Sequence, residues 1–519
     1  MLRSLRLPEL SLRHITWTVF IYCGVVAAAW PRRTYDIWWH LATGQWMVQN
    51  GKVPHTDPFT WSKLGEHWIA HEWGWELPMY LLYAAWGHDG LMALRILVAV
   101  VTCALLAWLC LRRGATPLAA MAAGALAIFA ARPMFNDRPQ IATMPLFVAM
   151  LCLIERTEEG KPRWLLIGAP LLMLVWVNVH GGFIYGFGLM GLYLLCKVPG
   201  WIGQFRAKQP LGPCPGMIAG AIGLAAIACL ANPSGIAGAI YPLDYIFGGT
   251  AWHTTWISEY ESPDFSEKIF VMLGILIVAT TTAFAASGRR SRLWDLALVA
   301  LFLFTTLRWQ RNMALFAFVV AAPLSLHLSD LLGRIGLGSG SEETGGRRPT
   351  ALYWAIIVVL LISAGMSMPT ASRMADAKFS ADMPVECTRY IEDSGLQGRM
   401  FNTYRWGGYL IWHLWPEHRV MVDGRADVLG KDLVSDWQKA HKLSEGWEQV
   451  LDDYEIDYAI VSVKAPLVRG LEDDPDWRLV CSEPTGRLFV RKGSIADETA
   501  GPAAIGVTDE GDLADGPDE

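Results

Sequence analysis

Tyr35-Asp36-Ile37-Trp38-Trp39-His40 sets an acid and an imidazole between aromatic rings, directly after the first apolar run of the chain. A carboxylate at such a boundary is costly if it is drawn into lipid. Indole rings prefer the headgroup zone, so the tryptophans fix its depth. Two uses compete for Asp36: capping a helix that starts near Ile37, or serving as a general base or metal ligand at the interface. His40, Asp57, His71 and Glu72 follow in the same Trp-rich segment. Acids and imidazoles gathered where water meets lipid suit proton transfer or cation binding, which favours the second use. His71-Glu72 is not a zinc-protease pair, because position 75, where a second histidine belongs, is Trp75. The pair is read as positioning a substrate or orienting Asp36.

A second group is cationic. Arg132, Arg138, Arg308 and Arg311 fall in connections that also hold His180, on the side of the membrane where basic residues are not expected. Interfacial arginines can snorkel to lipid phosphates. Their forks also grip phosphate oxygens bidentately, and a phosphorylated lipid held that way is stabilised as a leaving group. Both uses stay open. Trp39 and Asp57 join these residues as candidate substrate contacts.

The elements that must position them follow from hydropathy. The chain has 519 residues, 53% of them hydrophobic, which marks a polytopic membrane protein. Apolar runs cover 15–30, 91–111, 117–131, 141–154, 164–177, 183–195, 216–230, 269–286, 293–307, 313–328 and 351–368, giving about eleven spans. Several fall short of the ~20 residues that cross the hydrocarbon, so their helices must extend into polar flanks. The first run lacks a small-residue cleavage site and is expected to remain as a span. A shorter run at 77–86 reads as a re-entrant or surface helix. Basic residues alternate by connection: Arg3, Arg6 and Arg13; Arg112-Arg113; Arg156, Lys161 and Arg163; Lys197, Arg206 and Lys208; Arg289, Arg290 and Arg292; Arg334, Arg347 and Arg348. Positive charge stays inside. The N-terminus is therefore expected in the cytoplasm, and the C-terminal part in the periplasm or outside the cell, across the cell (inner) membrane.

Residues 1–370 are expected to form the membrane domain, with a first external loop at 32–90 and a long external loop at 232–267. Residues 371–493 read as a small external α/β domain, with helices at 384–392, 406–413 and 447–453 and strands at 399–401, 420–422, 458–463 and 487–491. Residues 494–519 read as a disordered acidic tail. Of nine cysteines, only Cys387 and Cys481 fall in the soluble part, where they can pair if that part lies outside the cytoplasm. Trp406, Tyr409, Asp423 and Arg425 are the residues of this domain expected to touch an acceptor; Asp423-Gly424-Arg425 also reads as a turn with an ion pair.

Asp36-x-Trp38-Trp39-His40-Leu-Ala-Thr-Gly44, Gly51-Lys-Val-Pro54, Asp57-Pro58-Phe59, His71-Glu72-Trp73, Asn232-Pro233, Ser262-Pro263-Asp264 and Gly407-Gly408-Tyr409 carry a resemblance. Together they resemble the GT-C superfamily of membrane glycosyltransferases, within a bacterial group similar to dolichyl- or polyprenyl-phosphate-mannose mannosyltransferases. The resemblance implies transfer of a sugar from a polyprenyl-phosphate donor to a glycan, lipid or protein acceptor on the external face, with Asp36 as the first-loop acid. His40, His71 and Glu72 would assist it. It admits a divalent cation, Mg or Mn, on Asp36, Asp57 or Glu72 without requiring one. Many relatives place a second acid directly after the first; here that position is Ile37, which motivates an alternative of a transporter, flippase or assembly factor for lipid-linked glycans. Nothing in the chain points to nucleic acid.

Overall fold

The computed structural model describes residues 9–29, 34–210, 212, 215–247, 258–337, 350–380, 382–500 and 504–505. Arg3, Arg6, Arg347, Arg348, residues 32–33, residues 248–257 of the long loop and residues 506–519 lie outside these. The chain divides into two compact units: Met1–Thr34 with Ala70–Ala375, and Tyr35–Ile69 with Asp376–Glu519.

Every apolar run of the first unit becomes a helix. These are Leu12–Ala29, His88–Arg112, Pro117–Ala131, Thr143–Glu158, Arg163–Val179, Ile184–Arg206, Pro215–Ala228, Val271–Ala286, Leu293–Arg308, Met313–Arg334 and Thr350–Ser380. Among the described residues, seven helical stretches are long and apolar enough to cross a membrane; Arg163–Val179, Pro215–Ala228 and Leu352–Met366 are shorter apolar helices. Trp73–Trp86 has 14 residues, about 21 Å at the helical rise, and so is too short to span. Small residues decide the packing. Ala119, Ala120, Ala123 and Ala127 are buried and let the Met313–Arg334 helix approach closely. Arg113 ties three helices at one end of this unit: its Nη2 lies 2.5 Å from Asp295, and its Nε 3.6 Å from Glu155, which also takes Arg292 at 3.0 Å.

The second unit is an α/β body around a five-stranded sheet. Its strands are β1 (Met400–Asn402), β2 (Tyr458–Ser462), β3 (Trp477–Ser482), β4 (Gly486–Arg491) and β5 (Ala504–Ile505), in the order β1-β2-β4-β3-β5. β1 runs parallel to β2, and β3 and β4 form an antiparallel hairpin. Cys387 and Cys481 are disulfide-bonded, joining the Val385–Ser394 helix to β3.

Four expectations change here. Residues 35–69 of the first loop fold with the C-terminal domain, while 70–90 stay with the membrane helices. The reason is a set of long-range bonds: Trp61 Nε1 donates to the Met400 carbonyl (2.9 Å), Ser62 Oγ to Met421 (2.6 Å) and Trp415 Nε1 to Pro58 (3.1 Å). Residues 420–422 form no strand; Val420 makes only an isolated bridge to Thr60. β3 lies where no strand was expected. The start of the expected tail is ordered: Ser494 caps the Ile495–Thr499 helix, Asp497 pairs with Arg478 at 2.7 Å, and β5 adds to β3.

Candidate functional site

In the second unit, Asp36 occupies the N-cap position of the Ile37–Asn50 helix but makes no side-chain cap bond. The carboxylate turns instead toward the turn at Gly424, where an added Cβ would lie 2.5 Å from Asp36 Oδ1 and 2.7 Å from Trp39 Nε1. Only glycine admits that approach. Gly408 packs in the same way, its notional Cβ 3.0 Å from the Trp39 backbone nitrogen, and Tyr409 meets Trp38 edge-on at 5.5 Å. The Gly-Gly-Tyr and Asp-Gly-Arg motifs therefore form the seat of the Asp36 helix. His40 is buried, with its ring 3.5 Å from that of Trp39.

Asp57 has a structural assignment. It accepts from Phe59 N (3.0 Å), Thr60 N (3.3 Å) and Thr60 Oγ1, and pairs with Arg425 Nη1 at 2.8 Å. Arg425 also forks onto Asp423, at 3.0 Å from Nε to Oδ1 and 2.6 Å from Nη2 to Oδ2, and lies over the rings of Phe59 and Trp68. Burial opposes the Arg425 charge, but Asp423 and Asp57 outweigh it and keep the guanidinium protonated. Asp423 and Arg425 are 0% and 2% exposed and Trp406 is 1% exposed, donating to the Asp382 carbonyl. These residues, with buried Tyr409, hold the unit together rather than offering themselves to an acceptor.

The first unit assembles a different cluster from four chain segments. His71 and Glu72 precede the Trp73–Trp86 helix, Arg138 precedes Pro139–Ala142, His180 ends the Arg163–Val179 helix, and Arg311 lies in the Gln310–Asn312 turn. Both imidazoles approach one carboxylate oxygen, with His71 Nε2 at 3.7 Å and His180 Nε2 at 3.6 Å from Glu72 Oε1. His71 packs on the Tyr241 ring at 4.6 Å. Arg138 pairs with Glu259, and Arg311 lies 4.5 Å over the Tyr260 ring.

The hydrogen bonds around His180 fix its chemistry. The Gly182 backbone N–H donates to His180 Nδ1 at 2.9 Å, so that nitrogen is an acceptor. Trp176 Nε1 donates to Thr143 Oγ1 at 3.0 Å, leaving the Thr143 hydroxyl proton for Nδ1 at 2.8 Å. The ring therefore carries its proton on Nε2, the nitrogen turned toward Glu72. A second proton on Nδ1 would face the Gly182 N–H, so the ring resists charging. Burial, and then Arg311, His71 and Arg138, hold its pKa well below the usual 6.5. Gly182 is required here, because a Cβ would lie 2.3 Å from Thr143 Oγ1.

Sequence reasoning missed Thr143, Trp176, Tyr241, Glu259 and Tyr260; the His180-Gly-Gly turn was the one local signal among them. Arg308 is exposed, with its guanidinium 5.9 Å from the Trp309 ring, and Arg132 is exposed in a short turn. Neither enters the His180 cluster through a described contact.

No family model matches the sequence, and no curated protein is similar to it. Among solved structures, the apo oligosaccharyltransferase of Archaeoglobus fulgidus superposes with a TM-score of 0.53 at 12% identity, covering 87% of this chain and 70% of that one. This chain has the GT-C fold. ArnT from Cupriavidus metallidurans, solved with undecaprenyl phosphate, gives a TM-score of 0.45 at 13% identity over 93% of this chain and 97% of its own. The mycobacterial arabinofuranosyltransferase AftD gives 0.47 at 11% identity over 94% of this chain and 40% of its own. For a cation, Asp57 is a poor ligand, since four donors already surround it. His180 presents an N–H rather than a lone pair toward Glu72, so it too is not a ligand in this state.

Proposed function

We propose that this GT-C chain is a membrane glycosyltransferase that moves a sugar from a polyprenyl-phosphate donor to an acceptor hydroxyl at the external face. Asp36 takes the hydroxyl proton as the oxygen attacks the anomeric carbon, and the bond to the phosphate breaks on the opposite side with inversion. The electron pair leaves with the lipid phosphate. In the first unit, Arg138, Arg311 and the His180 Nε2–H form a seat suited to an anionic phosphate, and Glu72 orients the two imidazoles.

The observation that carries this reading is the enforced neutral His180, a fixed N–H donor with two guanidinium groups acting on it. A preoriented donor in a buried site is worth more than the same group in water, because no reorganisation accompanies the step.

Purified protein in nanodiscs with polyprenyl-phosphate-linked hexoses is expected to release polyprenyl phosphate. Asp36→Asn is expected to abolish release while melting at the wild-type temperature. Full release by that variant would remove Asp36 from the mechanism. Loss of release in His180→Ala without loss of donor binding is the matching result for the leaving-group side.

A further inference from the structure

The second unit holds a cavity of about 760 Å³ that plays no part in the chemistry above. That volume lies within the range of small-molecule sites. Its chemistry is unlike that of an ordinary apolar pocket. Trp61, His413, His418, Arg419, Glu392 and Glu417 line it, together with residues 395–398 and the apolar Leu64 and Leu414. Gly395 has no atom within 4 Å of a notional Cβ, so the chain there is bare toward the opening.

The lining is also held in place. Trp61 is fixed through its indole N–H to the Met400 carbonyl, with the Arg399 guanidinium 5.4 Å from its ring. His418 is anchored at Nδ1 by the hydroxyl of buried Tyr458 (3.2 Å), which leaves Nε2 to meet a ligand. Arg419 is tethered by its Nε to the Pro58 carbonyl at 3.4 Å. Glu392 and Glu417 are both lining residues, and both act electrostatically on His418. Burial holds the pKa values of His413 and His418 below the ordinary value, so neither adds a positive charge at neutral pH. Among the lining residues two carboxylates stand against one guanidinium, and Arg399 behind Trp61 is paired with Glu455 at 2.9 Å, so the cavity is net negative.

A ligand for such a site must offer many hydrogen-bonding groups at close spacing and carry no acid. Planar carboxylate, guanidinium and imidazole edges match vicinal hydroxyls, and an indole gives the apolar face of a sugar ring a partner. Phosphate and uronic acids are disfavoured by the excess negative charge. We propose that this cavity binds a neutral or amino-bearing saccharide unit, and that it seats the glycan acceptor of the transfer reaction. The second clause rests on the glycosyltransferase reading; the first does not.

The test is an immobilised array of neutral, amino and acidic glycans probed with the full-length protein in detergent, without lipid donor. Neutral or amino glycans are expected to be retained and acidic ones not. Glu392→Ala/Glu417→Ala, at two exposed positions, is expected to weaken retention at least about fivefold at an unchanged melting temperature, the loss of one or two hydrogen bonds. The proposal is overturned if no glycan is retained, if acidic glycans are preferred, or if the double variant binds like the wild type. Asp36→Asn is expected to bind the same glycans. Glycan binding in a protein that never releases polyprenyl phosphate would retire the transferase reading and leave the site standing, whereas transfer without binding would retire the site alone.

Discussion

Replacing Thr143 by valine keeps the volume of the side chain and removes one oxygen, which isolates its effect on His180. In the wild type the His180 Nδ1 accepts from two donors, Gly182 N at 2.9 Å and the Thr143 hydroxyl at 2.8 Å. Valine removes the second and leaves the first. A hydrogen bond of this kind contributes about 1 kcal/mol, so the preference for the Nε2–H tautomer should weaken without reversing. At about 1.4 kcal/mol per factor of ten, that is roughly a three- to tenfold fall in the rate of polyprenyl phosphate release. Complete loss of the donor in His180→Ala should cost about 10²–10³-fold, the usual effect of deleting one preorganised donor. The buried Trp176 N–H also loses its acceptor, at a cost to stability of about 1–3 kcal/mol. Thr143→Ser restores the hydroxyl and is expected to recover both rate and stability. The assay pairs release kinetics with nitrogen-15 spectra of histidine-labelled protein, in which His180 should show an unprotonated Nδ1 and a protonated Nε2. A protonated Nδ1 in the wild type, or a valine variant with unchanged rate and spectrum, would refute the reasoning.

Asp57→Asn breaks a buried pair with Arg425 and should destabilise the second unit by about 3–5 kcal/mol, read as a lower denaturation midpoint. The same change should leave any dependence on added Mg or Mn as it is in the wild type, because Asp57 has no site left for a cation. His441 is half-buried against Trp437 and its pKa is lowered to about 4, first by burial and then by Arg405 and Lys442. Its unfolded form protonates near 6.5, so its contribution is complete above that value and is lost as pH falls from 6.5 toward 4. The unfolding free energy from urea titrations should drop over that window by ~3 kcal/mol, and His441→Phe should flatten the drop. A reporter active only in the periplasm, fused after Gly493, should be active; activity of a cytoplasm-only reporter there would overturn the assigned orientation.

The sequence by itself determined the membrane helices. All eleven apolar runs became helices, because a helix is the form in which an apolar segment satisfies its own backbone without water. The candidates for chemistry stood out for a local reason, since Asp36, His71, Glu72, His180, Arg138 and Arg311 are polar groups in places where polarity is costly. Their partners were not. Thr143 and Trp176 bond to His180 or to each other across more than thirty residues, and neither looks unusual in an apolar run. Asp57 and Arg425 are 368 positions apart in sequence, and only folding showed that the pair is a buried strut rather than a substrate contact. The division of the first loop at residues 69 and 70 had the same origin, since it depends on which distant backbone carbonyls Trp61, Ser62 and Trp415 reach. Periodicity and hydropathy are local properties of the chain; hydrogen-bond partners and buried charge pairs are set by contacts that local pattern does not encode.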